Sequence, residues 1–241
     1  MIYLRVPLLI LWLFFSCAVF LVIALFRWGD LNLDRDFGKL FTPFGLKILG
    51  LKVETQGTEN LTSHQPCIYV GNHQGALDVM IFGISYPERT ITIGKKEIIW
   101  IPFFGLFFAA AGNIMINRHK RVQAIAGLNQ ALDVLKVKKA SIWIFPEGTR
   151  NRSDQPLLPF KKGAFHMALS AGVPIVPILA SPMKPLMDWK NKKLYPGTIQ
   201  VRVLPPIFPT GFSANQVSEF SDLVRSKMLE ALPGLTSQRR P

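Results

Sequence analysis

This chain of 241 residues has two cysteines and four histidines. Two thiols make no disulfide framework. Cys17 lies inside an apolar run and Cys67 inside a strand-like one, so both read as reduced structural thiols. No Cys or His pair stands at zinc-ligand spacing, and no metal is expected. Acidic residues are also scarce: 15 Asp and Glu face 28 Lys and Arg, a formal net charge of +13. No internal period marks a repeat array, and 49% apolar content with only 18% charged residues excludes a disordered chain. There is no G-x-S-x-G elbow, which disfavours a serine nucleophile on an α/β-hydrolase frame. The basic excess implies an anionic partner, and nucleic acid, a membrane surface and a phosphorylated substrate all satisfy that requirement.

The first strong positive signal is apolar. Residues 6–26 read VPLLILWLFFSCAVFLVIALF without a formal charge. Roughly 20 such residues in a helix cross a hydrocarbon core. The run exceeds the apolar region of a cleavable signal, about 7 to 15 residues. A lipoprotein signal at Cys17 would need small residues where Phe14 and Phe15 stand. An uncleaved membrane helix is therefore expected, either as a full span or within a helix pair lying in one leaflet. Arg27, Arg35, Lys39 and Lys47 follow it and only Arg5 precedes it, so the body of the chain is expected on the cytoplasmic side. The remaining charge is concentrated. Residues 118–193 hold fourteen Lys and Arg against Asp133, Glu147, Asp154 and Asp188, a local excess of +10. The plainest reading of that window is a solvated surface attracted to anionic lipid.

Residues 28–50 suit an interfacial helix, interrupted at Pro43 and Gly45, leading into the globular part. Short β-forming runs then recur at 67–70, 90–94, 113–117, 141–145, 174–178 and 198–204. Helical patterns at 120–137, 162–171 and 213–232 fall among or after them. Such alternation predicts an α/β sheet layered by helices. The expected organisation is a membrane-anchoring helical segment, 1–50, followed by one domain, 51–241. The apolar stretch 98–116 is broken by Pro102, Gly105 and Gly112 and is expected as a buried or membrane-apposed helix followed by a strand, because a second crossing would put the polar motifs on its two sides in different compartments.

Two polar constellations offer chemistry. His73 follows a hydrophobic strand, and Asp78 lies five residues on. Histidine is a natural general base near neutrality, and a carboxylate orients its ring. Chance alone supplies such a pair in ~13% of similar chains, so a hydrogen-bonded structural histidine stays open on this spacing. Five residues along one helix turn the side chain well away from its starting face. The pair therefore meets only if His73 sits on the loop or first turn, which Gly71 and Gly75 permit. The second constellation, FPEGTR at 145–150, joins a carboxylate, a flexible amide, a hydroxyl and a guanidinium at a strand end. That set suits a phosphorylated headgroup. Taken alone, it also suits a glycine turn closed by a surface ion pair. Ligands of open α/β sheets gather beyond the carboxyl ends of strands, where His73, Arg118 and this loop all fall.

The motifs come in a particular order: NHQGALD at 72–78, GNIMINR at 112–118, FPEGTR at 145–150 and VPIVPI at 173–178, accompanied by IGKKEIIWIPFFG at 93–105 and LLPFKKGAFH at 157–166. With these the chain, over about residues 66–207, resembles the membrane glycerophospholipid acyltransferases, and most closely the bacterial 1-acylglycerol-3-phosphate acyltransferases. Met115 stands where that family often carries Phe. The resemblance implies a mixed, largely parallel sheet layered by helices. It also implies acyl transfer from acyl-CoA or acyl-carrier protein to the 2-hydroxyl of lysophosphatidate, with His73 as base and Asp78 as its partner. Gly112, Arg118, Glu147, Gly148, Thr149 and Arg150 match positions associated with the glycerol phosphate, and Lys95 matches a lysine near the same cleft. Neither a cofactor nor a metal is implied. The expected partners are the two substrates and anionic membrane lipid, with no nucleic acid, and the expected location is the inner membrane facing the cytoplasm. Two alternatives stand beside this reading: the same chemistry on glycerol 3-phosphate or another lysophospholipid, and a membrane-tethered basic anion-binding protein without catalysis.

Overall fold

The computed structural model describes residues 2–117, 121–188 and 191–239. The apolar N-terminal run forms α1 (Ile2–Phe26), and α2 (Leu33–Leu49) folds back along it. The Trp12 indole donates to the Phe41 carbonyl at 2.9 Å, the Arg5 guanidinium to that of Leu49 at 3.0 Å, and Phe20 meets Phe37 edge-on at 5.5 Å. These pairs define an antiparallel hairpin. Pro43 and Gly45, expected to interrupt this region, lie within an unbroken α2, which ends at Gly50 in the left-handed conformation (φ 71°). Packing explains the tolerance: a Cβ on Gly45 would approach Met80 Sδ to 2.7 Å and Leu9 Cδ1 to 3.2 Å, so glycine lets three helices meet there.

The globular part continues through β1 (Leu51–Gln56), β2 (Ile68–Gly71), α3 (Asp78–Gly83), β3 (Thr90–Lys95), α4 (Phe104–Ala110), β4 (Ile114–Ile116), α5 (Arg121–Lys136), β5 (Ser141–Ile144), α6 (Gly163–Ala171) and β6 (Ile175–Ala180). The short pair β7 (Met187–Asp188) and β8 (Lys193–Leu194) precedes β9 (Gly197–Val203), α7 (Val217–Ala231) and β10 (Gln238–Arg239). Among the described residues the main sheet runs β1-β9-β6-β2-β5-β3-β4, with β10 on β9. From β6 to β4 every pairing is parallel. β9 then turns against β6 and pairs in parallel with β1, so the sheet is mixed and largely parallel.

Strand alternation divides the core between two faces. Tyr69, Trp143, Val176 and Ile178 point toward α1, α2, α3 and α4, while Ile68, Val70, Ile142 and Ile175 point toward α5, α6 and α7. On the first face Phe20, Phe37, Phe41 and Phe107 pack ring against ring and are all buried. Each such ring contributes about 1.5–3 kcal/mol by leaving water. The segment 1–50, set apart above as an anchor, thus shares one apolar core with the sheet from Leu9 onward. Its link to the body is polar as well: the Asn113 amide bridges the Thr92 N–H (2.6 Å) and the Asp34 carboxylate (3.0 Å), and the Gly29 amide donates to the Ala110 carbonyl. The outer face of α1 stays apolar and exposed at Tyr3, Leu4, Leu11, Phe15, Val22 and Leu25. α1 is long and apolar enough to cross a membrane. The stretch 98–116 does hold a helix and then a strand, α4 and β4.

Candidate active site

β2 and β5 are adjacent and parallel, with Val70 opposite Ile144. The residues that follow each strand therefore emerge side by side at the carboxyl edge. The His73 imidazole stacks on the Phe145 ring, centroids 4.1 Å apart and planes 13° from parallel. The loop after β5 grips the histidine backbone at both ends. Glu147 Oε1 accepts the His73 N–H at 2.7 Å, and the Asn151 N–H donates to the His73 carbonyl at 2.7 Å. The neighbours of His73 bind the end of β6. Asn72 exchanges hydrogen bonds with both backbone groups of Ala180, and the Gln74 amide spans the Ser181 carbonyl and the Met183 N–H. His73 is consequently held from three strands.

Asp78 opens α3, and its Oδ2 lies 2.6 Å from His73 Nδ1. His73 is on the loop, where the spacing argument required it to be. The same oxygen accepts the Gln74 and Gly75 N–H groups at 2.7 and 3.0 Å. An ionised carboxylate only accepts, so Nδ1 carries the proton and Nε2 keeps a lone pair able to receive one. Asp78 is 1% exposed, whereas the His73 side chain keeps 21%, which leaves the ring reachable and its partner shielded. Nothing in the sequence beyond adjacency marked Asn72, Gln74 or Phe145 for these positioning contacts.

The dyad borders a cavity of about 760 Å³. Of the other residues singled out above, Lys95, Gly148, Thr149 and Arg150 line it, joined by Arg152 of the basic window. Gly148 adopts φ 70°, which turns the loop back and favours glycine. The rest of the wall is apolar: Val6, Leu9 and Leu13 of α1 face Ile98, Phe104 and Phe108. The N-terminal helix is therefore a wall of the site as well as an apolar surface.

Two expected site residues lie elsewhere. Glu147 is buried away from the cavity, its Oε2 accepting the Leu158 N–H at 2.9 Å, so both oxygens serve the backbone. Burial pushes its carboxyl above the usual range, against the lowering effect of those two amides. Gly112 adopts φ 79° against Gly29, at the joint between the hairpin and the body, rather than at the cavity. Arg118 falls outside the described residues. Among the described residues no cluster of His, Cys, Asp and Glu suits a metal ion.

A polar-mouthed, apolar-bodied cavity at a His–Asp pair fits a substrate with a charged head and a fatty chain, and similarity to known proteins agrees. The sequence profile of the Acyltransferase family matches residues 52–181. The 1-acyl-sn-glycerol-3-phosphate acyltransferase of Escherichia coli is 37% identical over 202 residues, 84% of this chain and 81% of its own length. The yeast enzyme of that name is 39% identical over 186 residues, and the chain spans 61% of its length. The crystal structure of the 1-acyl-sn-glycerophosphate acyltransferase of Thermotoga maritima superposes with a TM-score of 0.67 at 25% identity, covering 95% of this chain and 98% of that one. On its sequence, its fold and the composition of its cleft, this chain belongs to the acyltransferase family.

Proposed function

We propose that the enzyme acylates the 2-hydroxyl of 1-acylglycerol 3-phosphate, drawing the acyl group from acyl-CoA or acyl-carrier protein and forming phosphatidic acid. The observation that carries this reading is the His73 Nδ1 to Asp78 Oδ2 hydrogen bond of 2.6 Å at the boundary between the basic mouth and the apolar body of one cavity. His73 Nε2 takes the hydroxyl proton, and the oxygen attacks the thioester carbonyl. The tetrahedral intermediate then collapses, the carbon–sulfur bond breaks, and the thiolate recovers the proton from His73. Asp78 stabilises the imidazolium throughout. Lys95 offers positive charge to the developing oxyanion, and Arg150 and Arg152 hold the phosphate and so position the hydroxyl. The fatty chain runs between α1 and the 98–108 stretch, so the depth of that groove sets chain length. Glu147 and Gly112 act on loop geometry and hairpin docking in this reading.

The exposed apolar face of α1 and the positive residues that follow it support attachment to the inner membrane from the cytoplasmic side. With the hairpin bound along its length to the body, α1 enters one leaflet from that side.

The test is acyl transfer by detergent-extracted enzyme, with labelled acyl-CoA and either lysophosphatidate or glycerol 3-phosphate as acceptor. Product from lysophosphatidate alone is expected, and His73→Ala should lose about 10²- to 10⁴-fold in kcat. Product only from glycerol 3-phosphate, or near-normal turnover by His73→Ala, overturns the corresponding part.

A further inference from the structure

Asp78 divides its two oxygens unevenly. Oδ2 accepts His73 Nδ1 and two backbone amides, whereas Oδ1 is buried with no hydrogen-bond partner among the described residues. Leaving an oxygen of an ionised carboxylate unpartnered in an apolar environment is costly. Asp78 also borders a second, smaller cavity of about 90 Å³, which adjoins the first and shares Asp78, Thr92 and Phe145 with it. Its walls are mainly aromatic, including Phe82, Phe107, Trp143 and Phe145. The remaining polar liners are Asp34, Tyr86 and Thr92. These already form a chain, with Tyr86 OH 2.8 Å from Thr92 Oγ1 and 3.4 Å from Asp34 Oδ2. A cavity needs only about 10–15 Å³ of such space and two to four polar partners to hold a water molecule. This one has the room and the partners.

We propose that the second cavity is a water site in which ordered water bridges Asp78 Oδ1 to the hydroxyls of Tyr86 and Thr92, making those two residues positioning residues for the His73–Asp78 pair. The inference rests on the base assignment above and deepens it. Water donating to Oδ1 satisfies the orphaned oxygen and stabilises the carboxylate, which lowers the proton affinity of the pair as a whole. Loss of that water leaves the carboxylate less stabilised, so the pair holds its proton to higher pH. The neutral imidazole needed for catalysis then appears later in a titration. Other charged or titratable groups near the pair are Glu147, Lys95, Arg150, Arg152 and, across the cavity, Asp34. The variants below leave all five in place.

Thr92→Val preserves shape and strand preference while removing the hydroxyl, and Thr92→Ser retains it. Tyr86→Phe removes the second hydroxyl. With lysophosphatidate and acyl-CoA, Thr92→Val and Tyr86→Phe should each lower kcat about tenfold. Each should move the acid limb of the kcat profile toward higher pH, and Tyr86→Phe, at a residue that does not line the substrate cavity, should leave KM for both substrates within about twofold. Thr92→Ser should keep the parental profile. An unmoved acid limb in both hydroxyl-deleting variants, alongside an inactive His73→Ala, overturns the water site while leaving the base in place. A Thr92→Ser profile that shifts as far as that of Thr92→Val also overturns it, since the hydroxyl is then not the cause. Active His73→Ala removes the base and this inference together. If Tyr86→Phe fails to fold, the two Thr92 variants suffice.

Discussion

Glu147 holds loops together beneath the His73–Asp78 pair, with one oxygen on the His73 amide and the other on that of Leu158. Glu147→Gln replaces one acceptor by a donor that faces an N–H. That exchange should cost about 1–3 kcal/mol, seen as a lower Tm, and lower kcat more than it raises KM for lysophosphatidate. Unchanged Tm and kcat would show that the His73 backbone needs no such clip. Asp34 makes a second prediction at this scale. Its residue keeps some contact with solvent, yet its carboxylate sits among Asn113, Tyr86 and Thr92, and burial pushes its pKa up to about 7. The folded state therefore holds a proton that the unfolded chain, near the ordinary value of 3.8, has released. Stability from this residue is present below pH 4, declines as the pH rises through 7, and levels off above. Asp34→Asn should match the parent below pH 4 and melt about 2–4 °C higher at pH 8. A Tm difference that does not change with pH would refute the linkage.

The elements contribute what no single side chain does. α1 is a membrane-type helix by composition, and packing makes it a wall of the cavity beside His73 through Val6, Leu9 and Leu13. Leu9→Trp should narrow the groove and move preference toward shorter acyl chains, measured as kcat/KM across an acyl-CoA series. A loss spread evenly over all chain lengths would count against α1 as the boundary. The elements that escaped the sequence reading are instructive. β1 reads LKVETQ and alternates exposed polar residues with half-buried ones, as an edge strand does, and its partner β9 lies 146 residues away, Leu51 pairing with Gly197. No local pattern reports a pairing of that range. α3 has six residues, too few for a helical period to register. α2 was expected to be interrupted at Gly45, because the close approach of Met80 and Leu9 that suits glycine there is tertiary.

Across the whole molecule the net charge of +13 divides. Lys95, Lys96, Arg150, Arg152, Lys161 and Lys162 are exposed around the carboxyl edge of the sheet, where His73 sits. Lys136, Lys138 and Lys139 lie before β5, at the strand's opposite end, where the Arg89 guanidinium donates to the Lys138 carbonyl. The basic window is thus continuous in sequence and split in space. Beside the mouth, Trp100 is 82% exposed, and Phe103 touches Phe14 of α1 with ring centroids 5.8 Å apart. Apolar and basic surfaces adjoin there, as at a membrane interface. Binding to anionic vesicles should weaken several-fold between about 0.1 and 1 M salt, as the Debye length falls from about 10 to 3 Å, with binding to neutral vesicles little changed. Trp100→Ala should weaken both. Salt-independent binding to anionic vesicles would sink the electrostatic part.

By itself the sequence determined the apolar anchor, the alternation of strands and helices, and the ordered motifs that identify the chemistry. Those properties are written in consecutive residues, through hydrophobic period, turn residues and short polar blocks. Tertiary structure decided which motif residues face the cavity. Glu147 and Thr149 stand two apart in one loop, yet the first turns inward to backbone amides and the second lines the cavity. It also decided that α1 closes the groove and that Asp34, Tyr86 and Thr92 gather behind Asp78. The reason is physical: a side chain's direction in a loop follows from what strands 70 to 110 residues distant place beside it. A cavity is a property of surfaces that meet only when the chain has folded.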